Sequence, residues 1–277
     1  MRIVCQTCMH HCSLEPGQTG RCGARKHENG KIICSNYGRI TAFALDPIEK
    51  KPLKMFCPGS LILSVGSYGC NLSCPFCQNY EISKCSISDE SQMEQRTAYL
   101  SPEQLAQKAA QYQSQGNIGL AFTYNEPLVG WEYVRDTAKI VKEAGMKTVL
   151  VTNGTASADV LKELLPYIDA MNIDLKGFDE AYYRRLGGDL ETVKTFIQTA
   201  AKACHVELTT LIVPGENDDA AKMEEQARWI GPDIPLHVTR FFPRYQMTEK
   251  EATDVQTVYR LANLAGKYVE HVFVGNC

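Results

Sequence analysis

The feature that most constrains the fold of this 277-residue chain is a repeated alternation of short apolar segments with helical segments. The first apolar run is "LILSVGS" (61–67), and five more follow it, each succeeded by a segment of helical periodicity. These five are "IGLAFTY", "KTVLVTN", "IDAMNIDLK", "HVELTTLIV" and "PLHVTRFF". Such an alternation predicts parallel strands joined by right-handed helical crossovers. We therefore predict an α/β fold of the partial (β/α)6, TIM-like barrel type over residues 58–277.

The first 57 residues follow a different pattern, which is rich in cysteine and lacks the β-α alternation. Two strand-like runs lie here, "KIICSNY" and "RITAFAL", with Gly38 between them. We predict that the two runs pair as a β-hairpin that turns at Gly38. Residues 1–57 are thus expected to form a small metal-binding appendage to the barrel.

Composition narrows the class of protein. Hydrophobic residues make up 44% of the chain, which is ordinary for a globular protein with a large core. No run approaches the ~18 apolar residues that a membrane span needs, and "MRIVCQTCMHHC" lacks the apolar core of a signal peptide. The net charge of −3 gives no reason to expect nucleic acid as a partner. We expect a cytoplasmic protein that binds neither nucleic acid nor a membrane.

Cysteine usage points to metal, because the chain has 12 cysteines and a reducing compartment argues against a disulfide framework. The segment "GCNLSCPFCQNY" (69–80) holds Cys70, Cys74 and Cys77 at C-x3-C-x2-C spacing. Three thiolates hold three corners of a cubane iron–sulfur cluster and leave the fourth iron open, whereas structural zinc has four closed ligands. Cys85 is a poor candidate for a fourth ligand. Zinc, or thiols without metal, are the alternatives that the residues leave open.

A second group of thiols lies at the start of the chain, in "CQTCMHHCSLEPGQTGRC". Cys5, Cys8, Cys12 and Cys22 have the spacing C-x2-C-x3-C-x9-C. This spacing predicts a second metal site, either a closed structural zinc site or an auxiliary iron–sulfur cluster that relays electrons. Reduced thiols without metal are the remaining alternative.

The polar segments that follow the predicted strands complete the candidate site. They are the cysteine loop, "YNEP" (124–127), "TNG" (152–154), "DLKG" (174–177), "VPGEND" (213–218) and "FPRY" (242–245). Because the carboxyl ends of parallel barrel strands lie on one face, these segments are expected to converge there.

The cysteine loop, with Phe76 directly before Cys77 and a partial barrel behind it, resembles the radical S-adenosylmethionine (SAM) superfamily. The resemblance implies an oxidoreductase with a 4Fe–4S cluster on Cys70, Cys74 and Cys77, whose open iron is chelated by the amino and carboxylate groups of SAM. One electron from the cluster then cleaves the sulfonium bond and yields a 5′-deoxyadenosyl radical, which abstracts hydrogen from the substrate. A one-electron donor such as flavodoxin or ferredoxin is implied as a partner.

The resemblance also implies which residues bind the cofactor. "TYNEP" stands where the superfamily has a Gly-Gly-Glu-Pro-like segment, and "VTNG" and "DLK" resemble strand ends of glycyl-radical-enzyme activases. The chain departs from the activase pattern at Val151, Asn172 and Thr209, where activases have Asp, Met and Arg. The implied cofactor-binding residues are Phe76, Asn125, Glu126, Thr152, Asn153, Asp174, Lys176 and Thr209.

A closer resemblance is to the radical SAM member of the AmmeMemoRadiSam system. It is carried by the N-terminal cysteines, "DPIEKKPL" (46–53) and "GCNLSCPFCQNYEIS", then by "FTYNEP", "DLKGF" and "VFVGN", and it runs from about residue 5 to 276. It implies a radical SAM enzyme that acts on an unidentified substrate, with a peptide or protein as the expectation, and it assigns no catalytic residue. The alternatives are a glycyl-radical-enzyme activase of the pyruvate formate-lyase type, an iron–sulfur electron-transfer protein and a zinc-stabilised interaction module.

Overall fold

A computed structural model of the chain describes residues 1–84 and 96–277, so Cys85 lies outside the described residues. The strands are β1 (Ile3–Val4), β2 (Ser13–Leu14), β3 (Arg25–Glu28), β4 (Lys31–Cys34), β5 (Arg39–Ile40), β6 (Ala42–Pro47), β7 (Leu61–Gly66), β8 (Ala98–Tyr99), β9 (Asn117–Phe122), β10 (Lys147–Thr152), β11 (Ala170–Asp174), β12 (His205–Ile212), β13 (Leu236–Arg240) and β14 (Val272–Gly275). The helices are α1 (Tyr80–Ser83), α2 (Pro102–Gln111), α3 (Trp131–Glu143), α4 (Ala158–Leu164), α5 (Glu180–Arg185), α6 (Leu190–Ala200), α7 (Ala220–Ile230) and α8 (Val255–Ala265).

One sheet of eight strands organises the molecule, in the order β6-β7-β9-β10-β11-β12-β13-β14. The strands from β7 to β14 are parallel, and β6 runs antiparallel to β7 at one edge. All six strands predicted from the apolar runs belong to this sheet, and helices lie between them in the chain. The α/β class with a central parallel sheet is confirmed. At the two edges, β14 was not predicted, and β6 was predicted as a strand but not as part of this sheet.

Six of the eight described α-helices, α2 and α4 to α8, begin at a side chain that accepts a hydrogen bond from a free backbone N–H group. At α2 the Ser101 hydroxyl accepts from the N–H of Gln104, and the Gln104 side chain accepts from the N–H of Ser101, which is a capping box. Side-chain caps also begin the later helices, with Ser157, Asp179, Asp189, Asp219 and Asp254 as N-cap residues of α4 to α8. None of the described helices has the length and apolar composition that crossing a bilayer requires.

Two apolar layers follow from the alternation of side chains along the strands. Residues such as Leu63, Leu120 and Leu150 face the helices and belong to the main core. The opposite face carries a smaller cluster near the start of the strands, and Ile48 and Leu53, both fully buried, fill it. The members contributed by the sheet are Ile62, Ala121, Val149 and Ala170. The segment after β6 therefore closes the floor of the barrel interior.

The hairpin predicted at Gly38 is wrong. β4 (31–34) pairs with β3 (25–28) through a turn at Asn29 and Gly30, whose φ angles of 50° and 75° suit a tight hairpin. β6 (42–47) pairs along its whole length with β7, so the second predicted run belongs to the large sheet. The Asn-Gly dipeptide is the stronger turn signal, and burial of β6 against β7 outweighs pairing with its neighbour in sequence. The division of the chain at residue 57 stays a prediction.

Candidate active site

The carboxyl ends of the parallel strands surround one cavity of about 740 Å³. Every parallel strand, or the loop directly after it, contributes to its wall, so the sheet curves around the cavity as a partial barrel does. Cys70, Cys74 and Cys77 line this cavity. So do all the predicted cofactor-binding residues, namely Phe76, Asn125, Glu126, Thr152, Asn153, Asp174, Lys176 and Thr209.

The cysteine loop follows β7, and hydrogen bonds between its backbone and neighbouring segments hold it in place. Gly69 has φ +91°, and a Cβ at this position would lie 2.6 Å from the carbonyl oxygen of Cys22, so glycine is required. The N–H of Cys70 donates to the same carbonyl at 3.1 Å. Further along, the N–H of Ser73 donates to the Leu186 carbonyl at 2.7 Å, and that of Gln246 to the Pro75 carbonyl at 3.0 Å. The loop is thus fixed between the N-terminal segment and the barrel.

The three thiols of this loop are suited to metal ligation. Burial raises the pKa of Cys70 to about 12 and also raises the pKa of Cys74, so both remain neutral thiols unless a cation stabilises the thiolate. Among the described residues that line the cavity, these three are the only cysteines. Phe76 packs beside Cys74 in an apolar cluster that limits access of water. A donor set of three thiols on one cavity fits a cluster with one open iron.

Glu126 joins two loops of the cavity wall. Its Oε1 accepts from the Thr152 hydroxyl at 2.7 Å and from the Leu128 N–H at 3.0 Å, while Oε2 accepts from the Asn153 N–H at 2.7 Å. Burial raises the pKa of Glu126 to about 7, although these donors oppose the shift. The carboxylate therefore holds the loop after β9 against the loop after β10. The predicted contact of Glu126 with SAM stays a prediction.

Asn125 and Asn153 brace the cysteine loop in a similar way. The Asn125 Oδ1 accepts from the N–H of Ser67 at 2.9 Å, and its Nδ2 donates to the Gly69 carbonyl at 3.1 Å. The Asn153 Nδ2 donates to Asn71 Oδ1 at 2.9 Å and lies 3.8 Å from the Cys70 sulfur. These side chains, predicted as cofactor contacts, are engaged within the chain and position the thiol loop.

Asp174 and Lys176 form an ion pair at the end of β11. The Lys176 Nζ lies 2.7 Å from Asp174 Oδ2. Burial alone would lower the pKa of Lys176, but the neighbouring Asp174 carboxylate raises it above its ordinary value, so the lysine stays charged. The Asp174 side chain is 32% exposed and so remains accessible from the cavity. This pair offers a charge of each sign to a zwitterionic ligand.

The positions that depart from the activase pattern also lie together. Thr209 Oγ1 donates to Asn172 Oδ1 at 3.0 Å, and Asn172 Nδ2 donates to the Pro52 carbonyl at 2.8 Å. Val151 lines the same cavity. The side chains at these three positions are short, and the "DPIEKKPL" segment packs against the interior of the barrel where they lie.

The sequence did not predict that this segment contains a buried charged group, Lys51. Lys51 lies 2.9 Å from Asp46 Oδ2 and its Nζ is 4.7 Å from the centroid of the Tyr124 ring, while the Tyr124 hydroxyl donates to the same carboxylate at 2.8 Å. Burial would raise the pKa of Asp46, but hydrogen bonds from Lys51 and Tyr124 lower it to about 2. The Lys51 side chain is only 3% exposed. Adjacent lysines in a polar segment give no signal of burial, so the sequence could not reveal this group.

Glu207 anchors the end of the same segment. Its fully buried carboxylate accepts from His237 at 2.6 Å and from His205 at 2.9 Å. It also accepts from the backbone N–H groups of Lys54 and Met55, at 2.9 and 2.8 Å. His237 lines the cavity, so this cluster fixes the cavity floor to β12 and β13. A single glutamate inside the apolar run "HVELTTLIV" was the available signal.

The N-terminal thiols also lie together. Cys5, Cys8, Cys12 and Cys22 line one small cavity, and Asn71, the neighbour of Cys70, lines it as well. Burial raises the pKa of Cys22 to about 11 and raises that of Cys8. Across residues 1–84 and 96–277, no three His, Cys, Asp or Glu side chains are grouped so as to hold a single metal ion. The second metal site stays a prediction.

Comparisons with known proteins place the chain among its relatives. A family model described as the Radical SAM superfamily matches residues 64–227. An uncharacterized protein of Methanocaldococcus jannaschii is 36% identical over 281 aligned positions, which cover 99% of this chain and 81% of the relative. The pyruvate formate-lyase 1-activating enzyme of Escherichia coli K12 is 28% identical over 158 positions, 54% of this chain and 61% of that enzyme. The crystal structure of Streptococcus suis SuiB bound to S-adenosylmethionine has a similar fold, with a TM-score of 0.58 and 15% identity over 76% of this chain and 48% of that one.

Proposed function

Because the chain belongs to the radical SAM superfamily, we propose that it cleaves SAM reductively and uses the product to abstract hydrogen from a peptide or protein substrate. Enzymes of this family use a 4Fe–4S cluster and SAM, and these are the cofactors of this chain. When bound and reduced, the cluster supplies the electron that cleaves SAM to a 5′-deoxyadenosyl radical. The residues of the cavity position both cofactors.

The main support for this proposal is that two sets of side chains able to bind the cofactors line the same cavity. Cys70, Cys74 and Cys77 offer three thiols, and the Asp174–Lys176 pair lines the same cavity. Three thiols leave one iron of a cubane free for a ligand that is not a cysteine. The methionine end of SAM carries an ammonium, a sulfonium and a carboxylate. We assign the cationic groups to Asp174 and the carboxylate to Lys176, by charge.

Other residues hold this arrangement and keep water from it. Glu126 and Asn125 fix the loops after β9 and β10 against the cysteine loop, so the thiols are pre-positioned. The apolar side chains that pack around Cys74 lower the local dielectric. They are Leu72, Phe76, Tyr182, Leu186, Val213 and Phe241.

The substrate class is proposed from relatives and from the room left in the cavity. A second crystal structure of the neighbour SuiB contains its precursor peptide SuiA. In this chain, Lys50, Lys54, His237 and Phe273 line the part of the cavity beyond the predicted cofactor residues. We assign this part to a peptide or protein, within a cytoplasmic enzyme that receives electrons from a flavodoxin or ferredoxin. Membership of the AmmeMemoRadiSam group is part of the same proposal.

A glycyl-radical-enzyme activase is the second candidate. The match to the Escherichia coli activating enzyme favours it. In this chain the hydrogen-bonded pair Asn172 and Thr209 stands where activases have Met and Arg. The wall of its cavity therefore differs from that of an activase. The two candidates differ in whether the product is a stable glycyl radical on a partner enzyme.

The N-terminal thiols are assigned a separate role. We propose that Cys5, Cys8, Cys12 and Cys22 hold a second metal, as zinc or as an auxiliary cluster, within a small domain of residues 1–57. Their common cavity and the hydrogen bond from Cys70 to Cys22 support a site that also steadies the cysteine loop.

The experiment follows hydrogen from substrate to cofactor. Reconstituted protein, SAM and reductant are incubated anaerobically with lysate from cells grown in heavy water, and 5′-deoxyadenosine is analysed by mass spectrometry. Deuterium in 5′-deoxyadenosine is expected only when the lysate is present. The same samples are examined by electron paramagnetic resonance, in which a stable glycyl radical would favour the activase. Deuterium-free 5′-deoxyadenosine under all conditions would contradict hydrogen abstraction from a cellular substrate.

A further inference from the structure

Tyr182 lies on α5, the helix that follows the "DLKG" segment, and its ring is buried beside the cysteine loop. It packs in one apolar cluster with Leu72, Cys74 and Phe76 and is only 2% exposed. The next residue, Tyr183, is also fully buried, and its hydroxyl accepts from the Lys176 N–H at 2.9 Å. The two tyrosines of "YYRRL" therefore point into the protein, and Tyr183 has a protein partner.

The hydroxyl of Tyr182 has no such partner. Within residues 1–84 and 96–277, it is one of five buried side-chain polar atoms without a hydrogen bond. The other four belong to Arg25, Ser35, Thr137 and Thr148, none of which packs in the cluster around Cys74. An unsatisfied buried hydroxyl costs about 1–3 kcal/mol, so its retention beside a metal-binding cysteine indicates a partner that is not a protein atom.

We propose that the Tyr182 hydroxyl donates a hydrogen bond to a sulfur atom of the 4Fe–4S cluster, either the Cys74 thiolate or the sulfide beside it. The inference rests on the proposed function, since it requires the cluster on Cys70, Cys74 and Cys77. The position requires a hydrogen-bond donor, because the sulfur atoms of the cluster carry negative charge and can only accept hydrogen bonds.

The role of this hydrogen bond is to set the reduction potential. Adding an electron increases the negative charge on the sulfurs, so a hydrogen bond to sulfur stabilises the reduced cluster more than the oxidised one. Tyr182 thereby makes the cluster easier to reduce by a protein donor. It is a positioning residue, because it acts through the cluster and not on SAM or substrate.

Replacement of the hydroxyl tests this directly. Tyr182→Phe keeps the ring and removes the donor, and Tyr133→Phe is the matched control, since the Tyr133 hydroxyl donates to the Leu100 carbonyl at 2.9 Å, outside the cluster around Cys74. Redox titrations of the reconstituted full chain, followed by electron paramagnetic resonance, give the fraction reduced at each potential. Tyr182→Phe is expected to lower the reduced-to-oxidised ratio at fixed potential by roughly three- to tenfold. The control is expected to match wild type.

Two further measurements add to this test, and the first of them does not require Tyr182→Phe to load iron. A 3-fluorotyrosine at position 182 has a more acidic hydroxyl and keeps the ring, so it is expected to shift the potential in the opposite direction. In heavy water, wild-type reduced cluster is expected to couple magnetically to an exchangeable deuteron that Tyr182→Phe loses. Unchanged potentials in both substituted proteins, or an unchanged deuteron coupling, overturn the proposal. Failure of the wild-type protein to form a cluster with SAM-cleaving activity would instead overturn the proposed function.

Discussion

Thr209 donates a hydrogen bond of 3.0 Å to Asn172, and Asn172 in turn holds the Pro52 carbonyl at 2.8 Å. The two residues lie on neighbouring strands, β12 and β11, two residues out of register with each other, at the positions where the activase pattern has Arg and Met. Their hydrogen bonds connect the cavity wall to the "DPIEKKPL" segment, whose Ile48 and Leu53 fill the barrel floor. Part of the wall of this cavity is therefore built from a segment of the chain's own N-terminal region.

We expect Asn172→Ala to detach this segment from the wall. The change leaves the Pro52 carbonyl without its donor, and the cost is about 1–3 kcal/mol. Thermal unfolding should therefore begin roughly 2–10 °C lower than in wild type, as measured by calorimetry. Asn263→Ala, on the exposed face of α8, is the matched control and should unfold as wild type does. Equal melting temperatures for Asn172→Ala and wild type would show that the segment is held by other contacts.

Glu126→Ala is expected to weaken SAM binding while the iron–sulfur spectrum persists. The carboxylate accepts hydrogen bonds from both loops that flank the cavity, and Glu126 is one of the residues predicted to bind SAM. Loss of a charge-assisted hydrogen bond costs about 1.5–3 kcal/mol, so the dissociation constant should rise roughly ten- to hundredfold. Anaerobic calorimetric titration measures it, with Glu143→Ala on the exposed face of α3 as control. Affinity within twofold of wild type would remove Glu126 from the cofactor site.

Acid stability should depend on Glu207. Burial alone would raise its pKa, but donation by His205, His237 and the backbone lowers the pKa from 4.5 to about 2. A lowered carboxyl pKa stabilises the folded state above pH 4.5, and this stabilisation is lost as pH falls from 4.5 towards 2. The contribution is on the order of 3 kcal/mol.

The test compares the free energy of unfolding of wild type and Glu207→Gln between pH 6 and 3, by urea denaturation. The difference between the two proteins should be largest near pH 6 and shrink as pH falls, because only wild type loses the carboxylate. Glu143→Gln should stay parallel to wild type throughout. A constant difference between wild type and Glu207→Gln would mean that the charge of Glu207 contributes nothing.

The N-terminal thiols should retain metal when the cluster ligands are removed. In a variant with Cys70, Cys74 and Cys77 changed to Ala, elemental analysis should find about one zinc per chain, or iron and sulfide if the site holds a cluster. The metal should disappear when Cys5 and Cys8 are also changed to Ser. Well-folded protein from the first variant with neither zinc nor iron would contradict a second metal site.

The sequence predicted those features that depend on local periodicity and spacing. Six strands, their helices and the convergence of four of the six post-strand segments followed from apolar alternation and from the geometry of parallel barrels. The other two segments, residues 213–218 and 242–245, do not line the cavity, so their predicted convergence there was wrong. The pairing of β6 with β7 did not follow, because pairing between distant strands depends on which surfaces can be buried together. The sequence also did not predict that Lys51 is buried or that the Tyr182 hydroxyl lacks a hydrogen-bond partner. Both depend on contacts between segments that are far apart in the chain.

The central claim is that Cys70, Cys74 and Cys77 hold the cluster that cleaves SAM. The most direct measurement is anaerobic formation of 5′-deoxyadenosine by the variant in which all three are changed to Ala, beside a control in which the exposed Cys57 and Cys277 are changed to Ala. We predict that the triple variant lacks the cluster's visible absorption and forms no 5′-deoxyadenosine, whereas the control matches wild type. Cleavage of SAM by the triple variant at the wild-type rate would contradict the claim.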